Sequence, residues 1–140
     1  MLFAILCYNE EDFVGSWTKE EDDACMARLA EVEAGLAAAG RLGPVMRLQP
    51  TRTAATLRKA GKDRPPRVLD GPFAETKEQF LGFYVVDVED REAAVRIAED
   101  LAKANPGPGC YEIRPVMLAH NVGMAEGKDH APLRRAAVEA

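Results

Sequence analysis

The chain has 140 residues, 47% hydrophobic and 29% charged, a size and balance that suit one domain around a single core. A net charge of −5 argues against broad binding to nucleic acid or to an anionic membrane surface, where a basic face is expected. No apolar run approaches the ~20 residues that cross a bilayer, and the apolar start lacks a basic leader, so the expected address is cytoplasmic.

Residues 2 to 8 read as a strand that is apolar on both faces, hence central in a sheet. A polar, acidic loop is expected from there to Trp17. Thr18 with Glu21 three residues on forms a capping box for a helix whose stripe runs through Met26, Leu29, Val32, Glu33 and Leu36, with Glu33 the polar intruder. Gly40 stops that helix. Val45 to Gln49 reads as a second strand, ended by Pro50. Thr53 to Arg58 and Arg67 to Leu69 read as the arms of a hairpin around a basic tip at 59–66. Phe80 to Val88 is the strongest strand signal, and Gly82 inside it permits a bulge or a close backbone approach. Asp90 caps a second helix that buries Ala94, Ile97, Ala98 and Leu101. Cys110 to Val116 makes the last strand, with Tyr111 and Ile113 on one face and Glu112 and Arg114 on the other. The rest, residues 119–140, is a polar, Ala-rich tail, or a short helix through Pro132-Leu133-Arg134-Arg135.

Three widely spaced cysteines, Cys7, Cys25 and Cys110, do not suggest a disulfide framework. Cys7 and Cys110 fall in strands, where a thiol ordinarily serves as a small buried apolar group. His120 and His130 are ten apart and lack the close spacing of metal ligands, so no metal site is expected. No dinucleotide, P-loop, serine-hydrolase or zincin motif is present, and no cofactor is expected.

Removing the hairpin leaves β-α-β-β-α-β, an α+β ferredoxin-like arrangement with both helices on one sheet face. Leu2, Ala4, Leu6, Phe83 and Val85 leave the other face apolar, and a second copy packed sheet to sheet would cover it. The expected state is a homodimer.

Between the hairpin and the strongest strand lies Asp70-Gly71-Pro72-Phe73-Ala74-Glu75-Thr76-Lys77-Glu78-Gln79. Asp70 either holds its own turn or presents a carboxylate to a cleft for acid-base work. Phe73 is an anchor for the loop or the apolar wall of a pocket. Glu75 and Lys77, on one face if the segment is extended, form a weak surface pair or, in a cleft, a desolvated acid-base pair. Thr76 adds a hydroxyl, Glu78 lies opposite, and Arg52, Arg58 or Arg114 would add a cation. DGPFAETKE ahead of a Gly-Phe-Tyr strand resembles the signature of the YCII-related (DGPF) family, over residues 1 to 118. The resemblance implies a dimeric α-β barrel of ferredoxin-like subunits, and it carries over Asp70, Gly71, Pro72, Phe73, Glu75, Thr76, Lys77 and Glu78 as the shared motif. The histidine and aspartate proposed as a catalytic pair in the wider group align with Leu29 and Ala38, neither of which transfers a proton.

Two functions follow as expectations. One is a site for a small polar molecule in a dimer-associated cleft, with Asp70 as the catalytic carboxylate, Phe73, Glu75, Thr76, Lys77 and Glu78 binding, and cofactor-free proton transfer as the chemistry. The other, implied by the resemblance, is a non-catalytic regulatory or interaction module linked to extracytoplasmic-function sigma factors.

Overall fold

The computed structural model describes residues 1–120, which divide into two units. The first comprises Met1–Leu48 and Thr76–Met117; the second comprises Gln49–Glu75 and residues 118–120. The expected tail, His130 and the helix reading at 132–135 lie outside the described residues, apart from Ala119 and His120.

In the first unit the elements are β1 (Leu2–Asn9), α1 (Glu11–Gly15), α2 (Lys19–Ala38), β2 (Leu42–Arg47), and then β5 (Gln79–Asp87), α3 (Arg91–Ala104) and β6 (Cys110–Pro115). The second unit holds a 3-10 turn at Thr51–Thr53 and the strands β3 (Ala55–Arg58) and β4 (Arg67–Asp70). The sheet of the first unit runs β2-β5-β1-β6 with every ladder antiparallel, an α+β arrangement compatible with the ferredoxin-like order. β1 is central, as its two apolar faces require. β3 and β4 pair antiparallel as a separate two-stranded sheet.

The helices form where their caps put them. Thr18 Oγ1 accepts from the Glu21 amide at 3.1 Å to open α2, and Glu20, Glu21 and Asp22 sit favourably at the positive end of the helix dipole. Gly40, at φ +69°, closes the helix in the left-handed conformation that side chains avoid. Asp90 Oδ1 accepts from the Ala93 amide at 2.9 Å to open α3. That helix buries Ala93, Ala94, Ile97, Ala98, Leu101 and Ala104 against Phe3, Ile5, Val86 and Val88. Each large aliphatic side chain enclosed in this way contributes about 1.5–3 kcal/mol.

Three elements differ from expectation. β3 starts at Ala55 instead of Thr53, because Thr51–Thr53 forms the 3-10 turn. The acidic stretch before Trp17 contains α1, whose Glu11 amide donates to Gln79 Oε1 at 2.9 Å; that tertiary bond has no local sequence signal. β2 starts three residues earlier than expected, because Leu42 pairs with Val86 ahead of a register shift that spans Gly43 and Pro44.

Gly82 is where β5 meets its neighbours most closely. Leu81 is left without a partner between the pairs Cys7–Gly82 and Tyr8–Phe80, which makes a bulge. On the other side, a Cβ at Gly82 would lie 2.2 Å from the Met46 carbonyl oxygen. The bulge re-phases β5, so Phe80 and Phe83 come onto one face with Tyr8. Their ring centroids are 5.5 Å (Tyr8–Phe80) and 6.3 Å (Phe80–Phe83) apart. This is the face away from the helices, which also carries Leu2, Ala4, Leu6 and Val85, all half-buried.

Candidate functional site

The inward-facing side chains of the first unit do not close on one another completely. Between α2 and the sheet they leave a cavity of about 100 Å³, lined among others by Cys7, Cys25, Leu29, Glu33, Tyr84 and Tyr111. Each element delivers its residues by its own period. On α2, Cys25, Leu29, Val32 and Leu36 form the inward stripe, and Glu33 rides at its edge. Cys25 and Leu29 are buried, whereas Met26 is 40% exposed, so the stripe starts one residue earlier than the spacing from Met26 predicts. In the sheet, Cys7 pairs across from both Gly82 and Tyr111, and Tyr84 is two residues further along β5 on the same face.

A chain of polar contacts crosses this cavity. The Cys25 thiol lies 3.4 Å from Asn105 Oδ1 and 3.8 Å from the Ala104 carbonyl. Asn105 Nδ2 donates to Tyr111 Oη at 3.4 Å, and the Tyr111 hydroxyl donates to the Cys7 sulfur. Burial pushes the Cys7 thiol up, with the bond from Tyr111 opposing it, and burial likewise raises Cys25. Tyr111 is pushed up to about 12, chiefly by burial. Tyr84 is raised further, by burial first and then by the neighbouring Tyr111 and Glu33. Burial also raises the Glu33 carboxyl. The thiols and phenols therefore hold their protons at neutral pH, and the cavity is a cluster of weak acids.

Charge near the mouth is already committed. Arg47 Nη2 and Nη1 donate to Asp22 Oδ1 and Oδ2 at 3.0 and 3.4 Å, a two-pronged pair between β2 and α2. Arg28 Nε donates to the Ala104 carbonyl at 2.7 Å and ties α2 to the end of α3. Tyr84 is only 8% exposed as a residue, and its hydroxyl has no hydrogen-bond partner among the described residues. No fully buried side-chain polar atom goes unpaired among them, so that hydroxyl stays open to the cavity or to solvent. The Glu33 carboxylate also has no hydrogen-bond partner there.

The residues expected to form the site fall in both units. Asp70, Phe73 and Glu75 belong to the hairpin unit, and Thr76, Lys77 and Glu78 to the sheet unit. Asp70 ends β4 opposite Ala55 and is exposed. Gly71, at φ +99°, turns the chain, and its amide donates to the Ala54 carbonyl at 2.7 Å. Thr56 Oγ1 donates to the Gly71 carbonyl at 2.8 Å, and Arg58 Nη2 to the Phe73 carbonyl at 2.8 Å. The Asp-Gly-Pro turn is thus held by its own hairpin. Phe73 is 73% exposed, so the expected packing of its ring as an anchor does not occur. Residues 71–78 form neither strand nor helix. In the sheet unit Thr76 Oγ1 donates to the Glu78 carbonyl, and Gln79 Nε2 donates to the Thr76 carbonyl at 2.6 Å, which fixes the entry to β5. Lys77 is exposed. Glu78 reaches the Cys110 thiol at 3.8 Å, and Cys110 is exposed rather than buried, because it lies on the sheet face away from the helices.

A split antiparallel α+β sheet with two helices on one face defines the class of small fold, compatible with the ferredoxin-like arrangement. Within that class the chain belongs to the YCII-related domain family, whose model matches residues 1–120. It is 51% identical over 118 residues to an uncharacterized protein of Rhizobium meliloti (strain 1021), a match that covers 84% of this chain and 94% of that protein.

Proposed function

We propose that this protein binds a small molecule in the cavity between α2 and the sheet, and that the site is suited to cofactor-free proton transfer. One observation carries the reading: Tyr84 is 8% exposed and lines the cavity, and its hydroxyl, with no hydrogen-bond partner among the described residues, stays accessible rather than sealed in the core. Beside it Glu33 supplies an acceptor whose proton affinity burial has raised, so a donor and a base flank the same space. The protein works in the cytoplasm as a homodimer, with the Tyr8–Phe80–Phe83 face covered by a second copy. A thermal-shift screen of small carbonyl, amide and hydroxy compounds tests the binding. A ligand at about a hundred times its Kd adds about 2.7 kcal/mol of stability. Tyr84→Phe is expected to abolish the shift, and an unchanged shift in that variant refutes the site.

Phe73 favours a second reading. Its exposed ring sits on the hairpin unit with Asp70 and Glu75, in a segment, 49–75, that holds six Lys/Arg against three acidic residues. An exposed aromatic on a basic arm suits contact with an acidic partner protein, including one in a sigma-factor pathway. On this reading Phe73 is a contact residue, and Phe73→Ala leaves small-molecule binding unchanged while it weakens capture of the partner.

A further inference from the structure

The polar groups around the cavity divide into those already satisfied and those left over. Cys25, Asn105, Tyr111 and Cys7 form an open chain that runs from the Cys25 thiol to the Cys7 sulfur. Arg47 spends two donors on Asp22. Among the described residues, the Tyr84 hydroxyl is left as a donor beside the Glu33 carboxylate as an acceptor, with the Trp17 indole N–H and the Cys7 thiol proton also on the lining.

The sign of the leftover charge matters as much as its position. Asp22 and Glu33 are the acidic residues on the cavity wall and Arg47 the one cation, so pairing Arg47 with Asp22 leaves a net negative wall. Bringing an anion there would cost its hydration and return no cation to replace it. The thiols and phenols give no help, since burial keeps them neutral. Size sets a further scale. A dry cavity of about 150 Å³ holds a benzene ring, and this cleft, partly open to solvent, offers about 100 Å³.

We propose that the cavity selects a small neutral molecule with a hydrogen-bond acceptor beside a donor, as in a primary amide, and rejects the matching carboxylate. The acceptor takes the Tyr84 hydroxyl proton and the donor turns to Glu33, while the apolar remainder lies along Leu29. This rests on the small-molecule reading above and adds the class of ligand to it.

Propionamide and propionate, alike in shape and different in charge, are the probes. Each is titrated into the full-length protein at pH 7 while the resonances of Leu29, Tyr84 and Tyr111 are followed by NMR. Propionamide is expected to move these signals saturably in the millimolar range, with propionate at least tenfold weaker. Tyr84→Phe should weaken propionamide at least threefold, and Glu33→Gln, which removes the negative charge, should narrow the gap between the two probes. Propionate binding as tightly as propionamide at the same resonances would overturn the charge rule and leave the cavity reading standing. If neither probe moves those resonances, both fall.

Discussion

Replacing Gly82 by alanine tests the packing that supports one wall of the cavity. The added Cβ would lie 2.2 Å from the Met46 carbonyl oxygen and 3.1 Å from the Arg47 Cα, against the 3.4 Å at which ordinary contact begins. The nearest atom is backbone, so no side chain can swing aside. β2 must move off β5 by roughly 1 Å, at the pair Arg47–Gly82. Overpacking of this kind costs about 1–3 kcal/mol. The upper end is expected, since the shift also strains the 2.8 Å bond from the Leu48 amide to the Leu81 carbonyl. At about 4 °C per kcal/mol for a chain of this size, the midpoint should fall by about 12 °C. Gly35 is the internal control: it lies within α2, and a Cβ there meets nothing within 4 Å. Gly35→Ala should therefore stabilise by about 1 kcal/mol through helix propensity alone. Urea unfolding with an unchanged slope would measure both. A Gly82→Ala protein within about 0.5 kcal/mol of wild type would show that β2 is not held against β5 as described.

Asp90→Ala removes the side-chain acceptor at the start of α3 and should cost about 1 kcal/mol, with Asp90→Asn retaining most of it; equal losses in both would mean the cap is not the source. Alkaline titration should show stability falling once pH passes about 10, where an unfolded tyrosine ionises. Tyr111, held at about 12 in the fold, keeps its proton through that window while the unfolded chain releases it, so each such group removes up to about 1.4 kcal/mol per pH unit. Tyr111→Phe should flatten that slope in urea melts taken between pH 9 and 11, and an unchanged slope would refute the assignment.

The fold was legible where the chain carries its own punctuation. Thr18, Gly40 and Asp90 mark helix ends by chemistry that acts over three or four residues, and the apolar runs of β1 and β5 are long enough to name themselves. What escaped depends on distant partners. The acidic start of α1 reads as loop until Gln79 receives the Glu11 amide. Gly43-Pro44 disguises β2, which exists because β5 lies beside it. The cavity escaped for the same reason: Cys7, Cys25, Glu33, Tyr84, Asn105 and Tyr111 come from five places in the chain, and no local spacing joins them. One signal was present. Glu33 interrupts an otherwise apolar helical stripe, and a charged residue there asks for a partner that the sequence cannot name.

The interior of the first unit differs between its α2 and α3 sides. Leu101, Ile5 and Val86 fill the α3 side completely, without a polar atom left over. On the α2 side the equivalent layer carries two thiols, two phenols and a carboxyl. A phenylalanine at 84 and a leucine at 33 would satisfy the same helical and strand periods and cost nothing in desolvation. The fold thus has an accessible tyrosine hydroxyl and a partly buried carboxyl on one wall, and an apolar seam on the other. On the function proposed above, a molecule that completes the polar side would add stability in proportion to its occupancy, and a core without such a site would show no such gain.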